Sequence, residues 1–388
     1  MSDNLKKLIG CNIISNLLVL FLSGGFFQTV LLENCLSVKI VSILSSVTQL
    51  IQTASMILLS KRIDRTKNVI KAYSLSYFPA IPLVLFLILL SMQGKIMISI
   101  MFFILVSLCI VYNVFYSIHS ILSYKVPYHI MDINNYGTFL SISGILAGVF
   151  SLAVSFILSY LQNRYDFALV MCCAYVFTLL LIGVFFPISH TMRNTESIGN
   201  GNTKTEAEKI NFFKYKPFYS LLLPNLLRGF CAGIIGLAVT IGYSHNLLDS
   251  RSATVLVLIY NAATMLGYIV YRLIASMHKE RFILLICSIF ITICLPMMLL
   301  GNSTAIFIFF YGLASALLTI INATVPVIVT QIVSYEVIGQ YTSWRLLING
   351  LGIAVAGFLC TGMFSFLGGV CAAAHRLHPG THGSVRTI

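Results

Sequence analysis

Arg228 lies inside the apolar run of PNLLRGF. It stands about ten residues from the polar flank of that run, and at 1.5 Å of helix rise per residue this is about 15 Å, near the middle of a hydrocarbon layer about 30 Å thick. A guanidinium at that depth costs about 2.5–3.5 kcal/mol on insertion scales and must find partners. It is too deep to reach either interface by extending its stem. Its planar fork suits a carboxylate or a phosphate. The competing reading is a structural arginine satisfied by carbonyls and amides of neighbouring helices.

Two further sets of polar residues fall on helical stripes. Tyr112, Tyr116 and His119 recur at i, i+4 and i+7, with Asn113 beside them. Tyr311, Ser315, Thr319 and Asn322 share one face of a later helix. Asn12, Asn16, Gln28 and Asn225 add amides within other apolar runs. Hydroxyls and amides in such runs often serve only to bond helix to helix, and Ser315 and Thr319 fit that role best. His119 is near the end of its run and reads as an interfacial histidine rather than a proton relay. Arg228, Asn225, Gln28, Tyr112, Asn113, Tyr116, Tyr311 and Asn322 form the candidate solute-binding set. Gly144 with Gly148, and Gly229 with Gly233, are GxxxG pairs that favour close helix packing.

The elements that must carry these residues follow from composition. Only 9% of the 388 residues are charged and 58% are hydrophobic, with a mean hydropathy of +0.95. A soluble chain carries about 25% charged residues. Apolar runs of about 20 residues recur, each long enough to cross a bilayer as a helix, and only a helix satisfies its own backbone in lipid. Spans are expected near 8–32, 38–60, 69–93, 97–121, 137–160, 167–189, 218–243, 252–274, 282–301, 304–328 and 343–371. The N-terminal run has no small-residue cleavage site after it and reads as the first span, not a signal peptide. The fold class is all-α: a polytopic transmembrane bundle of two six-helix-type halves with about eleven spans present. The bundles are residues 1–189 and 217–388, joined by a cytoplasmic linker at 190–216. The segments starting at Tyr128 and Tyr335 are alike: a polar loop with Tyr, then a helix bearing Gly.

The net charge of +13 would suit nucleic acid in a soluble protein, but here most basic residues lie in loops between spans. With the N-terminus cytoplasmic, sixteen Lys and Arg fall inside, and only Lys39, Lys95, Arg164 and Arg251 fall in outer loops before the tail. That bias orients the chain. No Asp or Glu falls within a span, which argues against coupling through a titrating membrane carboxylate. HExxH, GxSxG and GxxxxGKS/T are all absent, so neither an enzyme nor a phosphate-loop pump is expected. The ten cysteines include no CxxC pair and read as small buried hydrophobes. No metal and no cofactor is expected.

The loop after the second span reads SKRIDRTKN, with Asp64 as the one acid among Lys61, Arg62, Arg65, Lys67 and Lys71. It resembles the signature between helices 2 and 3 of the major facilitator superfamily: Gly, three residues, Asp, Arg or Lys, one residue, Gly, then basic residues. Asp64 and Arg65 match; Ser60 and Lys67 replace the two glycines. With the six-linker-five layout, the resemblance covers nearly the whole chain. It implies two bundles, a central cavity lined by helices 1, 4, 7 and 10, and alternating access. It also implies a latch in which Asp64 and Arg65 meet the start of the eleventh helix, where Arg345 and the first backbone amides favour an anion.

The functional expectation is a secondary transporter of a small solute, anionic or polar, acting as a monomer in the plasma or inner membrane. The alternatives are a non-transporting sensor or lipid-handling membrane protein, and an inactive truncated transporter. The last arises because HRLHPGTHGSVRTI, residues 375–388, holds no apolar run, whereas a twelfth span needs about 20 apolar residues. His375, His378 and His382 have no evident scaffold there for a metal.

Overall fold

The structure is a computed structural model that describes residues 3–34, 36–64, 66, 68–93, 99–130, 136–192, 216–244, 248, 250–275, 280–300, 303–332 and 341–360. The linker core, the loop residues Arg65 and Lys67, and the tail from 361 onward lie outside them.

Among the described residues every regular element is a helix. The first half holds α1 (Asp3–Leu22), α2 (Gly25–Glu33), α3 (Val38–Asp64), α4 (Val69–Leu75), α5 (Ile81–Gln93), α6 (Ser99–Ile130), α7 (Tyr136–Gln162) and α8 (Phe167–His190). The second holds α9 (Lys216–Gly236), α10 (Ala238–Ser244), α11 (Ser250–Ala275), α12 (Glu280–Leu300), α13 (Thr304–Ile332) and α14 (Tyr341–Cys360). Among the described residues ten stretches are long and apolar enough to cross a membrane, and the chain is a multi-pass membrane protein. The expected seventh span is not among those ten; it is present as α9 and α10, which break at Leu237.

Three spans are broken, each for a local reason. Between α1 and α2, the amides of Ser23 and Gly24 share the Val19 carbonyl. A Cβ on Gly24 would press on the Leu20 carbonyl, so the SGG sequence permits a turn that larger residues would block. Between α4 and α5, Pro79 sits in a short 3₁₀ turn at Phe78–Ala80, where its missing N–H costs little. Between α9 and α10, Gly236 ends the helix and its carbonyl is taken by a side chain from the other half.

The helices repeat one packing plan. In the first half α1 packs on α7, α3 on α6, and α5 on α8. In the second, α9 meets α14 closely enough that a Cβ on Gly229 would overlap the Asn349 carbonyl, and α11 packs on α13. α12 packs on α13, and among the described residues it has no counterpart of α8. Buried side chains form two clusters, one between Leu8 and Met192 with Val257 added, the other between Ile234 and Cys360. The halves meet along α7 and α11, α2 with α10 and α11, and α3 with α14. Gly144 lies under the ring of Tyr268, Gly148 under Met265, and Gly350 against Thr53. The GxxxG pairs thus serve helix contact, as their spacing suggests.

Candidate functional site

A cavity of about 440 Å³ lies between the halves. The Ser23–Gly24 break leaves Ser23 and Gln28 at its edge, α3 presents Ser45, Thr48, Gln49 and Gln52, and α6 presents Asn113, Tyr116 and Tyr124. From the second half come Gly233 and Gly236 of α9 and Leu346, Asn349, Ile353 and Gly357 of α14. Ser45, the adjacent pair Thr48 and Gln49, then Gln52 and Met56 recur at steps of three or four residues, so one face of α3 lines the wall. Among the described residues no ionised side chain is part of that wall. Its amides and hydroxyls offer donors and acceptors without fixed charge.

Of the residues singled out in the sequence, Gln28, Asn113 and Tyr116 line this cavity. Gln28 also joins the halves: its Nε2 donates to the Gly236 carbonyl at 2.7 Å, and its Oε1 accepts from the Thr240 hydroxyl at 3.1 Å. Asn113 gives one N–H to the Cys109 carbonyl of its own helix at 2.8 Å, which leaves its oxygen to face the cavity. Tyr112 is buried behind the wall and stacks on Tyr116, with ring centroids 5.7 Å apart. Tyr311 is buried inside the second half beside Tyr260, 6.3 Å between centroids. Ser315 and Thr319 donate to the carbonyls of Tyr311 and Ser315 within α13. Asn12 and Asn16 likewise bond within α1.

Arg228 and Asn225 line a different cavity, of about 360 Å³, formed by α9, α12 and α13 of the second half. Arg228 is not part of the wall between the halves. Its Nε donates to Asn322 Oδ1 at 2.5 Å, which brings two of the sequence candidates together. It also lies within electrostatic reach of Arg345, Tyr124 and Tyr268. Arg345, expected at an exposed latch, is buried at 4% exposure, with its guanidinium carbon 5.4 Å from the centre of the Tyr124 ring. Arg65 and the side chain of Asp64 lie outside the described residues, and with them the latch.

His119 is not interfacial. α6 continues to Ile130, so the histidine is well inside the helix. Its ring is 2.8 Å from the Ser76 hydroxyl and 3.3 Å from that of Ser15, and it stacks 4.9 Å from Tyr73. The break before α5, at Pro79, brings Ser76 to the ring.

The residues missed at the sequence level are mainly those of α3 and α14. The signal was present as Ser45, Thr48, Gln49 and Gln52 within one apolar run. It was passed over because family resemblance directed attention to helices 1, 4, 7 and 10. Asn349 was hidden among the small residues of NGLGIAVAG.

No family model matches the chain, and no curated protein matches it in sequence. Solved structures do match. The xylose transporter XylE from E. coli, partially occluded and inward-open, is 10% identical with a TM-score of 0.64, over 99% of this chain and 100% of that one. A bacterial homologue of the human lysosomal transporter Spinster, inward-facing and unoccupied, is 16% identical with a TM-score of 0.60, over 96% and 83%. A bacterial homologue of the iron transporter ferroportin, outward-facing, is 14% identical with a TM-score of 0.57, over 97% of each. At these identities it is the fold that is shared, and the chain has the major facilitator fold.

Proposed function

We propose that the chain is a secondary transporter that carries a small polar solute across the plasma or inner membrane by alternating access. The observation that carries this is the cavity between the halves, with polar walls from both. Its volume of about 440 Å³ falls in the range of about 300–1,000 Å³ typical of small-molecule sites. Residues 1–189 and 217–388 act as the two rocking bundles, with the N-terminus inside. Gln28, Gln49, Gln52, Asn113, Tyr116 and Asn349 hold the solute by hydrogen bonds. Arg228 and Asn322 support the second bundle close by.

Similarity to solved transporters of xylose and of nucleosides supports the same reading. One of those relatives is a D-xylose–proton symporter. This chain has no Asp or Glu within its expected spans, so facilitated diffusion or exchange fits it better than coupling through a membrane carboxylate.

Flux into proteoliposomes, preloaded with unlabelled pentose, hexose, nucleoside, hexose phosphate or sugar acid and supplied with the labelled compound outside, tests the reading. Exchange of at least one compound above protein-free vesicles is expected, falling at least tenfold in Gln52→Leu. No exchange of any of them, from protein that is folded in the vesicles, would remove the transport reading.

A further inference from the structure

Arg345 stands in the first turn of α14 with its side chain 4% exposed, and its Nε and Nη1 have no hydrogen-bond partner. Its contact with the first half is the face of Tyr124, a residue of the cavity wall. Asn349, one helical turn further along α14, is part of the same wall, as is Leu346. The second arginine, Arg228, is within electrostatic reach, as is Tyr268. Among the described residues the ion pair is Lys7 with Asp3, far from here, so no acid is paired with either arginine.

Two like charges side by side in a medium of low dielectric raise each other's cost. Nitrogens left bare in that medium add to it. Such an arrangement persists where an anion visits to complete it. The cavity wall itself carries no charge among the described residues, so it suits the hydroxylated or amide-bearing body of a solute and not its charge.

We infer that Arg345, with Arg228 and the Tyr124 hydroxyl, forms an oxyanion subsite at one end of the cavity, and that the solute carries a single carboxylate or phosphate on a neutral polar body. The guanidinium offers its free edge bidentately, which lysine cannot do. The inference rests on the cavity being the solute site, but its test reads binding and not transport, so the two can fail separately.

The chain carries its own reporter. Trp344 is the one tryptophan in the sequence and neighbours Arg345. Purified full-length protein is titrated with glucose 6-phosphate, inorganic phosphate, gluconate and glucose while tryptophan emission is followed. A saturable change is expected with at least one of the three anions and none with glucose at equal concentration. The anion that responds separates phosphate from carboxylate. Arg345→Gln should weaken that binding at least tenfold, and Arg345→Lys should restore it only in part. Arg345→Gln without ligand should melt close to the parent, because it gives up the contact with the Tyr124 ring but no hydrogen bond at Nε or Nη1. Silence with all three anions, equal binding of glucose, wild-type affinity in Arg345→Gln, or a melting temperature far below the parent's in that variant would each overturn the subsite. Loss of the response in phosphatidylglycerol nanodiscs but not in phosphatidylcholine would assign the site to a lipid headgroup and overturn the solute.

Discussion

In the first half, the deepest polar ring is sealed. His119 has a hydroxyl at each nitrogen, Ser76 and Ser15, and the rings of Tyr73, Tyr77 and Phe185 around it. Helix α8 supplies Phe185 and closes the half by packing on α1, α4 and α5. In the second half, Arg228 has Asn322, Arg345 keeps two bare nitrogens, and a cavity of about 360 Å³ lies between α9, α12 and α13. α12 presents Phe282, Leu285, Ile289 and Ile293 outward. The same packing plan thus carries a histidine met at both nitrogens in one half and an arginine with two bare nitrogens in the other, although the hydroxyls of Tyr77, Tyr112 and Tyr175 in the first half also lack a partner. A group whose needs are met within its own half fixes structure, whereas one left unmet beside the junction is free to meet a ligand.

The largest effect expected from this contrast is at the seal. Phe185 is fully buried, with ring centroids 5.0 Å from Tyr77 and 5.3 Å from Tyr73. Phe185→Ala opens a cavity among stiff aromatic neighbours and should cost about 3–5 kcal/mol. Leu285 on α12 is 58% exposed, and Leu285→Ala should change stability by no more than about 0.5 kcal/mol. Thermal unfolding of both variants in detergent measures the difference. Equal losses would mean that the outer face of α12 is covered as firmly as the first half is.

A smaller effect separates contacts within a half from contacts between halves. The Cβ of Gly229→Ala would meet the backbone carbonyl of Asn349 within the second half, which cannot swing aside. Overpacking of that kind costs about 1–3 kcal/mol. The Cβ of Gly144→Ala would meet the ring of Tyr268 across the junction, a side chain that can turn. Gly144→Ala should therefore melt close to the parent yet slow exchange in proteoliposomes, because α7 and α11 slide past each other when the halves rock. A melting loss in Gly144→Ala as large as in Gly229→Ala would show that the junction is as rigid as the core.

Sequence alone made the helical architecture legible, because apolar runs of about 20 residues and the scarcity of charge leave little other choice. It also marked Gln28, Asn113 and Tyr116, whose polarity in lipid demands a partner or a cavity. What it did not reveal is direction. Whether Arg228 or Tyr311 faces the junction depends on the rotation of each helix, and a polar stripe such as that of Tyr311 to Asn322 marks a face without saying whether it meets the junction or a neighbour in its own half. The face of α3 was readable from Ser45 to Gln52 as hydroxyls and amides at helical spacing within one apolar run. His119 was misplaced because the turn at Pro79, distant in sequence, brings Ser76 to it.

The smallest predicted effect tests whether the junction opens at all. Gln28 holds α2 to the end of α9 through the Gly236 carbonyl, with Thr240 donating to its oxygen. If the halves part at this end when the solute enters, these bonds break in one state and hold in the other. A hydrogen bond of this kind contributes about 1 kcal/mol net, so Gln28→Ala should move the balance between the two states about fivefold. Cys109 lines the cavity and bears a free thiol, so it can report the change. Its rate of modification by a membrane-impermeant maleimide, added from the side opposite the N-terminus and read by mass spectrometry of the peptide, should rise about fivefold in the variant. The melting temperature should hardly move, since the amide spans two bodies and braces neither. An unchanged rate would mean that the Gln28 bonds persist in both states, and that the halves turn about this contact as a hinge instead of parting there.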